Sequence, residues 1–327
     1  MKERIGYFDS ARAILIFLVV LGHVLGAANP RFEIMPYTVM QNFISSFHMP
    51  AFFIISGILV DVEKWGERSP LDYVLRRVKT LVVPYFFLEA VAIIYRHFAL
   101  GSVSLKDGLL RMLTLRCNVA PDWFLTAMFF ASLIFYIYIK LPKKPVWAIV
   151  AGVLMLVLYF VPQGHWWNIL LRAVLGFAFM VFGNVLKRQL TAFSTLKITA
   201  AFVLLVICVA VKIKFSIVNS FYGGVLESPP LFFIGGLCGT YLVLGIARHL
   251  DFKWIRYIGE NSLVIMSTHP LILSTIPHSS SVLWVIGTML LTAAVELVLI
   301  VLTNKLCPFL IGKGKAKAKN TVKIKTA

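Results

Sequence analysis

The strongest constraint in this sequence is a repeated one: long apolar runs, each closed off by charge, proline or glycine. They fall near residues 11–28, 43–60, 80–98, 123–140, 146–161, 168–186, 197–215, 231–247, 262–277 and 283–303. A bilayer core about 30 Å thick takes roughly 17–25 such residues in one helix. In lipid every backbone polar group must find its partner inside the protein, so only helices and closed barrels can cross. These runs are too long and too continuously apolar for barrel strands. The sequence therefore predicts an all-α integral membrane protein, a bundle of about ten transmembrane helices; the fifth and ninth runs are short. Composition agrees, with 59% apolar and only 14% charged residues, against about 45–50% and about 25% in soluble domains. The four cysteines, Cys117, Cys208, Cys238 and Cys307, lie far apart and form no CxxC or Cys/His spacing. That excludes a disulfide scaffold and a zinc ribbon.

The net charge is +18, from 32 Lys+Arg against 14 Asp+Glu. With the N-terminus inside, 23 of the 32 fall in inner segments and seven in outer loops, while Arg12 and Arg172 lie inside spans. Lys212 and Lys214 are counted among the outer seven. Such a split follows the positive-inside pattern and places both termini in the cytoplasm. The opening MKERIGYF and the small residues Gly26-Ala27-Ala28 resemble a signal peptide, but the run is long and holds Arg12 and His23. The expected organisation is one transmembrane domain over 1–304. A basic tail over 305–327, disordered and touching anionic membrane lipid, follows it. Nucleic acid is not the expected partner.

Ionisable groups at membrane depth are expensive, so each is a candidate site. In SARAILIFLVVLGHVLG, Arg12 and His23 are eleven residues apart. That turns a helix to within about 20° of three full turns and rises about 16 Å. Both therefore leave one helix face, Arg12 near the inner surface and His23 near mid-bilayer. An isolated histidine on an apolar face is most often bonded to a carbonyl; the aligned Arg12, with Asp9 one turn before it, favours a site. In FHMPAFFIISGIL, His48 lies beside Pro50, which is expected to kink the second span. Ser56-Gly57 would let a helix or ligand approach. In IGENSLVIMSTHPLIL, His269 precedes Pro270 at similar depth. A metal would need three or four convergent ligands, and nothing in the spacing asks for one.

Other groups have competing readings. Glu89, mid-span after VVPYFFLE, either orients a histidine or stays protonated in apolar surroundings. Glu296 reads as a structural hydrogen-bonding group. Arg172, beside Trp166 and Trp167, reads as an interfacial snorkelling residue or as a contact to an anionic acceptor. Arg76, Arg77 and Lys79 are either topology charges or a phosphate site. Asp122 and Trp123 open the fourth span; Trp123 is a belt residue or, with Asp122, a sugar contact by hydroxyl bonding and ring stacking.

Together these residues resemble a known family. Asp9-Ser-Ala-Arg12, ten residues, then His23-Val is similar to the opening motif of the acyltransferase-3 family of integral membrane O-acyltransferases. FHMPAFFIISGIL, RRVKTLVVPYF, WFL at 123–125 and IGENSLVIMSTHP resemble its later motifs, in order, over nearly the whole chain. The nearest likeness is the fucose 4-O-acetylase-like branch. Asp122 departs from the pattern, since a small or apolar residue is expected before WFL. The resemblance implies a cytoplasmic acyl-CoA donor, acetyl-CoA above all, and a cell-surface glycan or glycolipid acceptor. A bacterial plasma membrane is the expected location. The family's arginine and histidine carry over to Arg12 and His23.

The physics is compatible with that. Arg12, Arg76, Arg77 and Lys79 would hold the nucleotide phosphates at the inner surface. The pantetheine arm would lie along span one and bring the thioester to His23, the general base on the acceptor hydroxyl. The expected catalytic set is His23, Arg12, His48, Glu89 and His269. An acyl relay through His23 is a variant. A thioester needs no metal to be attacked. The rival reading is a transporter or flippase with the histidines as a proton relay, but no two halves with matching broken helices are visible.

Overall fold

The computed structural model describes residues 6–142, 144–157 and 164–311. The described residues are helical almost throughout. Among them, eight helical segments are long and apolar enough to cross a bilayer: Tyr7–Ala28, Met35–Leu59, Pro70–Phe98, Ala120–Lys140, His165–Val185, Thr195–Lys214, Pro229–His249 and Val282–Leu306. Two expected spans are shorter. The fifth is the helix Lys144–Val157, and its expected continuation to 161 lies outside the described residues. The ninth is the 12-residue helix Ser262–Leu273, about 18 Å long. The tail beyond Ile311 also lies outside the described residues.

The helices are α1 (Tyr7–Ala28), α2 (Met35–Ser45), α3 (His48–Leu59), α4 (Val62–Glu67), α5 (Pro70–Arg77), α6 (Val83–Phe98), α7 (Leu105–Leu113), α8 (Trp123–Lys140), α9 (Lys144–Val157) and α10 (His165–Val185). There follow α11 (Lys187–Thr191), α12 (Thr195–Lys214), α13 (Pro229–His249), α14 (Lys253–Glu260), α15 (Ser262–Leu273) and α16 (Val282–Leu306). A two-stranded antiparallel hairpin pairs β1 (Asn219–Ser220) with β2 (Val225–Leu226). Its turn holds Gly224 at φ 65°, and a Cβ there would lie 2.8 Å from Leu171. The left-handed backbone and the close wall both ask for glycine.

Prolines shape the spans differently than expected. The second span is broken rather than kinked: α2 ends at Ser45 and α3 restarts at His48. Pro50 falls in the first turn of α3, where its missing N–H leaves no bond unmade. In the third span, α5 and α6 are joined by a π-turn over Val78–Val82. Val83 N–H bonds back to the Val78 carbonyl, five residues earlier. Pro84 has no N–H for Thr80, and the wider turn accommodates its ring.

Packing separates a core from a rim. The segments 120–140 and 165–185 are the most enclosed, and α12 and α16 the least. Phe202, Leu204, Ile207, Leu283 and Leu290 are exposed on the latter two, as helices facing hydrocarbon should be. The α3–α10 crossing is closest. A Cβ on Gly57 would sit 2.0 Å from the Met180 carbonyl oxygen, and one on Gly183 would sit 2.1 Å from that of Ile54. The small face expected at Ser56-Gly57 is thus taken by a helix.

Hydrogen bonds mark the two ends of the bundle. At one end Tyr37 Oη donates to the Ser280 carbonyl (3.2 Å) and a His165 ring nitrogen meets the Thr114 carbonyl (2.8 Å). At the other, Tyr138 Oη donates to Asn184 (2.8 Å), Asn304 to Asn261 (2.7 Å) and Ser10 to Asp251 (3.1 Å). Arg256 donates to the same Asp251 carboxylate at 2.5 Å, which holds that carboxyl below its usual range.

Candidate active site

The expected histidines come together. His23 Nδ1 and His269 Nε2 are 2.7 Å apart, with the rings stacked 4.9 Å centroid to centroid. His269 is fully buried, and its Nδ1 meets the Ile265 carbonyl at 2.6 Å. A carbonyl only accepts, so His269 Nδ1 carries a proton. In the neutral pair His269 Nε2 is then the acceptor, and His23 donates its Nδ1–H to it. His23 Nε2 is left with a free lone pair, the form a general base requires. Pro270 contributes to this wall: it leaves the Met266 carbonyl without its helical N–H donor, and His269 lies against that carbonyl as well.

His23 is exposed, and its exposed surface lines a cavity of about 690 Å³ between α1, α2, α3, the N-terminus of α8, the end of α12 and the hairpin. His48 shares the wall. Its Nδ1 donates to the Ile44 carbonyl (2.8 Å), across the break between α2 and α3, which leaves its Nε2 as an acceptor too. Around them stand aromatic rings (Phe52, Trp123, Phe221, Tyr222) and amides (Gln41, Asn42, Asn219). That mixture suits a polar molecule with flat apolar faces, as a sugar ring has.

The remaining expected residues sort into three groups. Trp123 is in the cavity wall. The Arg172 guanidinium lies over its ring at 5.4 Å and over Tyr222 at 4.8 Å, and donates twice to the Tyr222 carbonyl. Arg172 therefore pins the hairpin to α10.

The two carboxylates serve the loop before α8. Glu89 is fully buried and accepts the Asn118 backbone N–H (2.7 Å), the Asn118 side-chain amide (2.7 Å) and the Val119 N–H (3.2 Å). The sequence leaves Glu89 either orienting a histidine or staying protonated; its oxygens meet this loop, and the group against His23 is His269. Asp122, expected to meet a sugar, is fully buried and absent from the cavity wall. Ser267 Oγ donates to it at 2.5 Å, so it ties the loop to α15 two residues before His269. Glu296 behaves as expected, accepting from Thr268 Oγ1 at 2.8 and 2.9 Å.

The cations form two groupings. Arg12 Nη1 pairs with Asp9 at 2.9 Å at the opposite end of α1 from the cavity. Arg76 and Arg68 lie over the Trp65 ring at 5.4 and 5.5 Å, while Arg77 lies over Tyr73 at 4.9 Å and donates to its hydroxyl at 3.1 Å. Arg77 Nε is buried without a partner. Lys79 is exposed on the π-turn. The described contacts gather Arg76 and Arg77 around aromatic rings and place Arg12 with Asp9.

Sequence reasoning missed Lys212. It was counted with the outer-loop charges, but it lies within α12, 4% exposed, in the cavity wall. The signal was present, a cation two positions inside the last residue of the apolar run's KIK ending, but that spelling reads as a span end. The hairpin wall was also missed, because nothing local in NSFYGGVL says that it folds inward.

A family model described as an acyltransferase domain matches residues 5–311. Nothing among the curated proteins matches. No solved structure matches either.

Proposed function

The chain belongs to the acyltransferase-3 family, and from that premise we propose that it moves an acyl group, acetyl above all, from cytoplasmic acyl-CoA to a hydroxyl of a surface glycan or its lipid-linked precursor. A fucose 4-O-acetylase-like specificity is the form we favour. The single observation behind the reading is the His23–His269 pair at 2.7 Å on the wall of a polar and aromatic cavity. In the proposed step His23 Nε2 takes the proton of the acceptor hydroxyl as its oxygen attacks the thioester carbonyl. The C–S bond breaks, and the proton passes from His23 to the leaving thiolate, giving CoA and an ester. His269 supports the transient imidazolium by accepting the His23 Nδ1–H, as the third group of a triad does. His48 Nε2 is a second acceptor for a substrate hydroxyl. The reading needs no metal. Incubating the purified protein with acetyl-CoA and the host's own surface glycans tests it. Acceptor-dependent release of CoA is the expected result; turnover of neither substrate, in either order of addition, would sink it.

We place ten crossings and both termini in the cytoplasm, with 1–304 as the transmembrane domain. Two sets of bonds support the crossings by α9 and α15. α8 and α10 run parallel, Trp123 near Arg172 and Tyr138 near Asn184, so the chain returns between them through α9. Asn261 lies at the Asn304 end and Ser280 at the Tyr37 end, so α15 makes the passage between. Reporters fused after Ala28, Leu141 and Ala327 should read outside, inside and inside. A C-terminal reporter outside would overturn the orientation.

Donor binding is assigned to Arg12, Arg76, Arg77 and Lys79. Charge-assisted bonds are worth about 1.5–3 kcal/mol each, so Arg76→Ala with Arg77→Ala should weaken acyl-CoA binding by about 100-fold or more. The rate of bound complex should change less, because the phosphates are remote from the chemistry. Titration of acyl-CoA into the double variant checks this; unchanged affinity would leave the cluster a topology signal.

A further inference from the structure

Lys212 is a cation with no charge to answer it. Its Nζ donates to Ser46 Oγ at 3.2 Å, and the Ser46 hydroxyl in turn donates to the Asn42 carbonyl at 2.7 Å. An ammonium has three donors, so two remain. Among the described residues no carboxylate lies within ion-pair reach of it; the nearby titratable groups are His48 and Cys208. Glu227, the acid closest in the chain on the hairpin side, is committed to the Val218 N–H at 2.6 Å. A buried ammonium without an anion is costly. If Lys212 served only to hold α12 against α2, a neutral donor would do so without that cost.

The position of Lys212 supplies the reason for a charge. It is in the wall of the same cavity as His23 and His48. Gln41 Oε1, in that wall too, is buried and has no donor. The cavity thus offers an unanswered cation, an unanswered acceptor, aromatic faces and a general base. We propose that Lys212 is an anion-binding subsite of this cavity, and that the acceptor sugar presents a carboxylate or a phosphate to it while its hydroxyl meets His23. This rests on the acceptor cavity proposed above. The two sources of the anion differ in meaning: a carboxylate belongs to an acidic sugar, a phosphate to a sugar still linked to its carrier. The ion pair also orients the ring, so one hydroxyl among several is offered to the base.

Binding without any acyl donor tests the subsite independently of catalysis. The full-length protein in nanodiscs is titrated with methyl glucoside, methyl glucuronide and glucose 1-phosphate. At least one anion should bind about tenfold or more tightly than the neutral sugar, and which one names the source. Lys212→Met should lower the anion to the neutral level, while Lys212→Arg keeps most of the preference. Because a variant can fail to insert, a second measurement uses the parent alone: inorganic phosphate should compete with the anionic probe and leave the neutral one unaffected. Equal affinities in the parent, no binding up to about 10 mM, or a preference that survives Lys212→Met would each overturn the subsite. An anion preference without any turnover of acyl-CoA would leave the subsite standing and remove the transferase reading; turnover without preference would do the reverse.

Discussion

His23→Gln should lower acyl transfer by about 10²–10⁴-fold, the usual loss on removing a general base. The protein should insert and fold as before. Glutamine is close in length and retains a donor and an acceptor, so it can still bond His269, but it cannot take up and return a proton. The His23 Nδ1 to His269 Nε2 contact of 2.7 Å makes this discrimination possible. A role confined to joining α1 to α15 predicts near-normal specific activity for glutamine and lower stability for His23→Ala. A catalytic role predicts that both variants are inactive and that glutamine is the more stable. Specific activity of purified protein, normalised to the folded fraction, decides. Glutamine at close to the parent rate would remove His23 from the mechanism.

Gly57→Val should cost most of the folded protein. A Cβ at Gly57 would stand 2.0 Å from the Met180 carbonyl oxygen, with two further backbone atoms within 2.8 Å. Backbone on a packed helix does not step aside as a flexible side chain does. The reciprocal contact at Gly183 and Ile54 means that α3 and α10 have to part along their whole crossing. Overpacking usually costs about 1–3 kcal/mol, and a displaced helix pair belongs above that range. Thermal unfolding in detergent reads the effect. Gly287→Ala is the control, since nothing lies within 4 Å of that site; alanine there should be neutral or slightly stabilising. A parent-like melting temperature for Gly57→Val would show that the helices cross less closely than described.

What the sequence by itself determined is what depends on period and composition. Lipid leaves the backbone no partner but itself, so a long apolar run announces a helix wherever it later packs. Eight of the expected runs appear as helices of spanning length. The Arg12–His23 alignment on α1 is set by helix geometry alone, and the histidines were visible as expensive polar groups at similar depth.

Only the tertiary structure decided which groups met. His23 and His269 lie 246 positions apart, and no local pattern pairs them. Whether Glu89 orients a histidine or stays protonated was open in the sequence, which gives depth along a helix but not which helices are neighbours. Packing assigned Glu89 to Asn118, turned Asp122 away from the cavity toward Ser267, and drew Lys212 off the membrane surface into the wall. Each depends on the azimuth and neighbours of a helix. In an apolar span those are specified by close backbone approaches such as Gly57 against Met180, which belong to two segments at once and so to neither alone.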